Sequence, residues 1–138
     1  NAQVDTLQIA GNAVTVPVYV IGGSATQTSF SNTTYQTIES GTIVRKGLAT
    51  LITFTIQADA SGNSSSGFAV RILRETTQIQ EQYNLGIARN LRGSHTIVVT
   101  DTDTGTGSTN YHVQTKLILG GGSIGRYQHF LALEQFQR

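Results

Sequence analysis

Two overlapping glycine-rich strings near the end of the chain have the form of catalytic motifs. Residues 121–125 (GGSIG) match the G-x-S-x-G pattern of a nucleophilic serine, and Gly120, Gly122 and Gly125 match the G-x-G-x-x-G pattern of a dinucleotide site. The first pattern needs a strand, a sharp turn and a helix, and the second needs a βαβ unit of about 30 residues. Only thirteen residues follow Gly125. We therefore predict a glycine-rich hairpin loop with no catalytic serine and no cofactor; the enzyme alternative is a small hydrolase that uses Ser123 and a histidine.

Three histidines, His95, His112 and His129, are further candidates for a base or a metal ligand. Each is predicted to lie in a different strand, and their spacings match no zinc signature. A metal site needs ligand count, geometry and supporting contacts together. We therefore predict structural or surface histidines and no metal site.

Residues 101–105 (DTDTG) resemble the start of a calcium-binding loop. The EF-hand pattern needs an oxygen ligand where Gly105 stands and a glutamate where His112 stands, so the full motif fails. A looser site with carbonyl ligands is an alternative. An ordinary Asp/Gly turn is the interpretation that we adopt, because these residues form turns without any metal.

Two other patterns concern saccharides. Asn32 and Asn63 each begin an N-x-[ST] acceptor for glycosylation, a pattern that a chain so rich in Ser and Thr contains by chance. The five tyrosines could stack on sugars or bases, but tyrosines at such positions more often pack with the hydroxyl in water. They are Tyr19, Tyr35, Tyr83, Tyr111 and Tyr127.

The composition argues against several classes of partner. Nine basic residues are scattered singly, apart from Arg45-Lys46, and the net charge is +1. We predict no nucleic-acid partner, because such proteins usually carry a dense basic stripe. We also predict no membrane partner, since no apolar stretch approaches the roughly 20 residues of a membrane span. The sequence does not begin with Met, so we expect a processed chain or a piece of a longer protein.

The apolar residues alternate over short runs, which predicts about nine or ten strands in one all-β domain of 138 residues. In the first half these runs are residues 14–20, 36–46, 48–58, 68–75 and 78–83. Residues 1–10 are a weak first strand, and residues 1–12 are alternatively an extended arm. Pro17 should place its strand at a sheet edge or at a bulge. Residues 21–35 and 58–67 are predicted loops, Thr76-Thr77 a turn, and residues 84–92 either a loop or one helical turn.

The last third of the chain carries three more runs, at residues 95–100, 111–119 and 127–136. Turn-rich breaks at residues 101–110 and 120–125 separate them, so we predict an antiparallel meander. The final run, taken on to Arg138 (YQHFLALEQFQR), also contains good helix formers, but Glu134 stands where a helix would need an apolar residue. As a strand it is apolar on both faces, which suits a central position or a subunit interface.

Two segments carry a resemblance to a known family, residues 68–79 (FAVRILRETTQI) and residues 93–136. An arginine-bearing strand that ends at a short turn, a D-T turn, a strand with Tyr and a final strand with L-x-L-E are similar to the C-terminal β-sandwich of many bacteriophage tail-fibre and other virion structural proteins. In this chain they are Val70–Arg74, Asp101–Thr104, Tyr111–Leu117 and Leu131–Phe136. The resemblance implies a jelly-roll-like sandwich, similar to tumour-necrosis-factor or C1q-type heads, that assembles as a homotrimer.

We therefore expect an all-β, antiparallel, jelly-roll-like sandwich that acts in the virion without enzymatic activity. It would be a tail-fibre, spike or capsid-decoration component, with copies of itself and other virion proteins as partners. The alternative is a carbohydrate- or receptor-binding module for host-surface adhesion, with a host glycan as partner and with tyrosines and amides in loops as its site.

Overall fold

The computed structural model describes residues 15–21, 28–61, 66–87, 91–119 and 123–136. Nine strands lie within these ranges, and no helix there has the length and apolarity that crossing a membrane requires. The strands are β1 Thr15–Ile21, β2 Thr28–Phe30, β3 Gln36–Lys46, β4 Thr50–Ser61, β5 Ser66–Arg74, β6 Thr77–Ile87, β7 Arg92–Asp101, β8 Thr106–Leu119 and β9 Ser123–Phe136.

These strands form two antiparallel sheets. The first sheet has the order β1-β9-β4-β7, with β2 paired to the other end of β9, and the second has the order β3-β8-β5-β6. From β3 to β9 every connection except β5–β6 carries the chain from one sheet to the other. This arrangement is a jelly-roll-like sandwich, which confirms the predicted fold class.

The core lies between the two sheets and is built from the alternating residues that point inward. Ile52, Phe54 and Ile56 of β4 are fully buried, as predicted from their spacing. Phe68, Val70 and Ile72 of β5 face them from the second sheet. Burial of a large apolar side chain contributes about 1.5–3 kcal/mol, so these positions fix which face of each strand turns inward.

Two detailed predictions about strands are confirmed. The strand at residues 36–46 has the predicted bounds. Pro17 lies in β1, which pairs only with β9 among the described residues, and the register shifts between Pro17 and Tyr19. Because proline has no N–H to donate, an edge strand with an irregular register accommodates it.

The final run is a central strand, as its apolar faces predicted. β9 lies between β4 on one side and β1 and β2 on the other. Leu131 and Leu133 are fully buried and point inward, whereas Phe130 is 37% exposed on the outer surface. The strand interpretation of this run is therefore correct and the helical one is wrong.

The predicted meander in the last third is wrong. β7 and β9 both pair with β4 in the first sheet, while β8 lies between β3 and β5 in the second. The glycine-rich segment before Ser123 therefore connects the two sheets and is not a hairpin. Alternation in the sequence shows which face of a strand is buried, but it leaves the neighbouring strand unspecified.

Several predicted loops are shorter than expected. β2 lies inside residues 21–35, β4 runs to Ser61, β6 runs to Ile87 and β8 begins at Thr106. The β5–β6 turn is at Glu75-Thr76, and Glu75 has a φ of 51°. Polar residues at the ends of long strands gave no signal that pairing continues there. The predicted strand or arm at residues 1–12 and the loop centre at residues 62–65 lie outside the described residues.

Candidate functional site

The serine of the G-x-S-x-G string does not occupy a nucleophile elbow. Ser123 is the first residue of β9 and is paired with Ser61 of β4 in an antiparallel sheet. An elbow places the serine after a strand and before a helix, whereas Ser123 begins a strand. Gly125 lies in the same strand, opposite Ser29 and Asp59; the remaining glycines of the string are outside the described residues.

The three histidines lie apart. His95 and His129 are both paired with Ile56, one from each side, so two strand spacings of about 4.8 Å separate their backbones. His112 lies on β8 in the other sheet. Among the described residues no group of three His, Asp or Glu side chains could hold a metal ion.

The two inward-facing histidines have different surroundings. His129 is 5% exposed, and its Nε2 lies 2.5 Å from the carboxylate of Glu39 across the core, while its Nδ1 has no hydrogen-bond partner among the described residues. The ring of His95 packs edge-on against Phe68 with 5.6 Å between ring centres. These contacts join the sheets, as expected of structural histidines.

The loop that resembles a calcium site is held by arginines. Asp101 is 3% exposed, and its carboxylate accepts from Arg74 Nη1 at 2.5 Å and from the Tyr111 hydroxyl at 2.7 Å. Asp103 accepts from Arg45 Nη1 at 2.5 Å. We call these five residues the charged cluster.

Electrostatics and hydrogen bonds tie the charged cluster together. The Arg45 guanidinium, with a hydrogen bond from the Gly105 N–H, holds the pKa of Asp103 below its ordinary value. The hydrogen bond to Asp101 raises the pKa of Arg74. Burial, with a further contribution from Asp101, raises the pKa of Tyr111 to about 12. The cluster therefore joins the end of β7 in the first sheet to β3 and β5 of the second through ion pairs, and to β8 through the Tyr111 hydroxyl.

Sequence reasoning missed both arginines, although a signal was present. Arg45 follows Ile43 by two residues, and Arg74 follows Ile72 by two, so each stands at an inward-facing position of its strand. A cation at an inward-facing position of a strand requires a buried anion or a polar group as its partner. The sequence analysis weighed the aspartates as metal ligands and assigned them to an ordinary turn, whereas in the structure the arginines are their partners.

The tyrosines divide between the core and one outer surface. Tyr111 is fully buried, while Tyr83 is 50% exposed and Tyr35 is partly buried. The side chains of Tyr19 and Tyr127 lie outside the described residues. Of the two glycosylation acceptors, Asn32 is exposed and Asn63 is outside the described residues.

Tyr35 lies across the outer surface of the second sheet, where it contacts residues from three strands. Its ring centre is 4.1 Å from the Arg71 guanidinium and 4.5 Å from the Lys116 ammonium, and its hydroxyl donates to Glu81. Burial and the Glu81 carboxylate raise the pKa of Tyr35. The Lys116 ammonium is also 5.0 Å from the ring centre of Tyr83. We call Tyr35, Arg71, Glu81, Tyr83 and Lys116 the cation–tyrosine cluster.

On the outer surface of the first sheet, the described side chains of β9, β4 and β7 form a regular array that is mostly uncharged. Four rows of cross-strand neighbours from β9, β4 and β7 form it, and we call this surface the neutral face. The rows are Gln128, Gln57 and Ser94; Phe130, Thr55 and Thr96; Ala132, Thr53 and Val98; and Glu134, Leu51 and Thr100. Glu134 is its one ionisable residue, and Val98 is 62% exposed.

Comparisons with known proteins agree with the jelly-roll-like fold. No protein-family model matches the sequence, and no curated protein matches it. The chain is similar to the solved structure of infectious bursal virus derived T=1 particles, with a TM-score of 0.68 and 13% identity over 99% of this chain and 36% of that one.

Two further solved structures from the same virus are similar to this chain. The infectious bursal disease virus VP2 subviral particle gives a TM-score of 0.66 and 14% identity over 86% of this chain and 32% of that one. The structure of the Gx strain gives a TM-score of 0.66 and 13% identity over 91% of this chain and 33% of that one. This chain therefore spans about a third of the length of these viral chains, and at such identities the likeness shows the fold alone.

Proposed function

We propose that this chain is a structural protein of a virus particle that assembles as a homo-oligomer and has no enzymatic, cofactor or metal-dependent activity. Support comes from the jelly-roll-like arrangement and from its likeness to proteins of virus-derived particles. The resemblance of residues 68–79 and 93–136 favours a bacteriophage, with a tail fibre, spike or capsid decoration as the location. The whole of residues 1–138 would form one domain.

The neutral face is the observation that carries this proposal. A surface with one carboxylate among twelve side chains can meet another copy without like-charge repulsion. Phe130, 37% exposed, and Val98, 62% exposed, add apolar side chains to this face on the two strands that flank β4. We propose a homotrimer in which this face lies at the interface around the symmetry axis.

A pair of charged substitutions on the neutral face tests the assembly. Removing residues 131–138 would take away half of a central strand and unfold the domain, so it cannot separate assembly from folding. Light scattering coupled to size exclusion should give a trimer for the full chain and a folded monomer for Val98→Lys combined with Phe130→Lys, because the added like charges repel each other across the interface. Val44→Lys on the second sheet is the matched control, because Val44 is also 62% exposed. A well-folded monomer of the unchanged chain at micromolar concentration would refute the homotrimer.

The cation–tyrosine cluster favours a second candidate function, a carbohydrate- or receptor-binding module for adhesion to a host surface. Tyr83 of this cluster lies in β6, and Tyr35 directly precedes β3. The sequence analysis had instead expected such a site in loops. The cluster and the neutral face lie on opposite surfaces of the sandwich, so one protein can use both. A glycan array or a cell-binding assay tests this candidate independently of the oligomeric state.

A further inference from the structure

Arg71 and Lys116 form a pair of cations that have no ion-pair partner among the residues that the structure describes. Both lie within 4.5 Å of the ring centre of Tyr35. The ion pairs found among the described residues involve Arg45, Arg74 and His129, and none involves Arg71 or Lys116. Two like charges held together repel each other, and a bound anion would relieve that repulsion.

The carboxylate of Glu81, on the strand next to Arg71, already accepts a hydrogen bond. Glu81 is the cross-strand neighbour of Arg71, yet it accepts the hydroxyl of Tyr35. The tyrosine ring therefore lies beside both cations, with its hydroxyl turned to the only acid of the cluster. This arrangement stabilises the two cations through the ring. Among the described residues, the Arg71 Nη atoms and the Lys116 ammonium make no hydrogen bond.

The guanidinium of Arg71 is oriented for an incoming anion. Its Nε donates to Gln114 Oε1 at 2.7 Å, and Gln114 Nε2 in turn donates to Thr37 Oγ1 at 3.1 Å. These contacts fix the plane of the guanidinium and leave the Nη1–Nη2 edge for a two-point contact with a carboxylate or sulfate. Lys116 adds a second positive charge on the neighbouring strand.

Tyr83 supplies an apolar surface beside the cations. It is 50% exposed, and its ring centre is 5.0 Å from the Lys116 ammonium. A pyranose ring presents C–H groups on one side that can pack on such an aromatic ring. Two cations are too few for a polynucleotide, which is held by many phosphate contacts.

We propose that the cation–tyrosine cluster binds an acidic saccharide, with Arg71 and Lys116 holding the sugar's anionic group and Tyr83 packing against the sugar ring. This inference deepens the second candidate function, because it rests on adhesion to a host surface and names the class of glycan. It makes no use of the neutral face, so the oligomeric state tests the virion-assembly proposal separately.

Calorimetric titration of the full chain with oligogalacturonate tests the inference, and the methyl-esterified oligomer is the ligand control because it keeps the sugar and removes the charge. We expect binding of the acid form and at least about tenfold weaker binding of the ester. Titrations with sodium sulfate and with an oligoglutamate peptide show whether the site prefers an inorganic anion or an acidic peptide to the saccharide. Equal affinity for the acid and ester forms, tighter binding of sulfate or peptide than of the saccharide, or no binding at millimolar oligomer would overturn the proposal.

Three variants assign the binding to these residues. Lys116→Gln should weaken oligogalacturonate binding by about tenfold or more, whereas Lys46→Gln, an exposed lysine of the same sheet, should leave it unchanged. Tyr83→Ala should weaken binding of the oligomer and leave sulfate binding unchanged. Arg71→Gln should act like Lys116→Gln; if it fails to fold, Lys116→Gln decides the outcome. Equal affinities of Lys116→Gln and Lys46→Gln would contradict the proposed site.

Discussion

The guanidinium of Arg74 lies 2.5 Å from the carboxylate of Asp101, and this ion pair joins β5 of the second sheet to β7 of the first. Asp101 is 3% exposed, so water cannot replace the arginine fully if it is removed. An uncompensated buried charge is strongly destabilising, even where the intact pair contributes little to stability. Because of this ion pair, single substitutions where β5 and β7 end should change the free energy of unfolding.

Arg74→Met should lower the free energy of unfolding by about 3 kcal/mol, because it leaves the Asp101 carboxylate with the Tyr111 hydroxyl as its main remaining partner. Urea denaturation followed by circular dichroism measures the change. Lys46→Met removes an exposed cation instead and should change the free energy by no more than about 0.5 kcal/mol. Similar values for both variants would mean that the ion pair with Asp101 is not important for stability.

Gly105→Ala tests how closely the charged cluster is packed. A Cβ at this position would lie 2.4 Å from Arg45 Nη2 and 2.9 Å from Asp103 Oδ2. The alanine should therefore displace the Arg45–Asp103 pair and destabilise the fold by about 1–3 kcal/mol. Gly86→Ala is the control, because nothing lies within 4 Å of its Cβ. Thermal unfolding of both variants should show a lower midpoint for Gly105→Ala alone.

Two adjacent residues of β3 test which of its faces is turned inward. Ile43 is 2% exposed and Val44 is 62% exposed. Ile43→Asp should abolish soluble expression, since a buried carboxylate without a partner costs several kcal/mol. Val44→Asp should be tolerated because its side chain lies in water. Equal yields of soluble protein from both variants would mean that the face assignment of β3 is wrong.

The sequence predicted the faces of the strands better than their neighbours. The spacing of Ile52, Phe54 and Ile56 identified the inward face of β4 without any knowledge of its partners. The position of β4 between β7 and β9 could not be predicted. An alternating pattern shows which face of a strand is buried, but it does not show which strand lies next to it. The charged cluster was missed for a related reason: Arg45 and Asp103 are 58 residues apart, and no local pattern links them.

The stability of the chain should not depend on a metal ion. The carboxylates of Asp101 and Asp103 are already neutralised by arginines, whereas a calcium site needs six to eight oxygen ligands around the ion. Thermal unfolding with and without EDTA should give the same midpoint. A midpoint that falls by several degrees with EDTA and recovers with calcium would revive the calcium-loop interpretation of residues 101–105.

Acid should destabilise the protein partly through Asp103. Its pKa in the folded protein is below its ordinary value of about 3.9, so the unfolded chain binds more protons than the folded one as the pH falls through this range. The stabilisation by Asp103 is therefore present above about pH 4 and is lost as the pH falls through the lowered pKa. Urea unfolding midpoints measured from pH 5 to pH 2 should decrease more steeply for the unchanged chain than for Asp103→Asn, which cannot titrate. Parallel curves for the two proteins would mean that the Arg45–Asp103 pair does not contribute to the pH dependence.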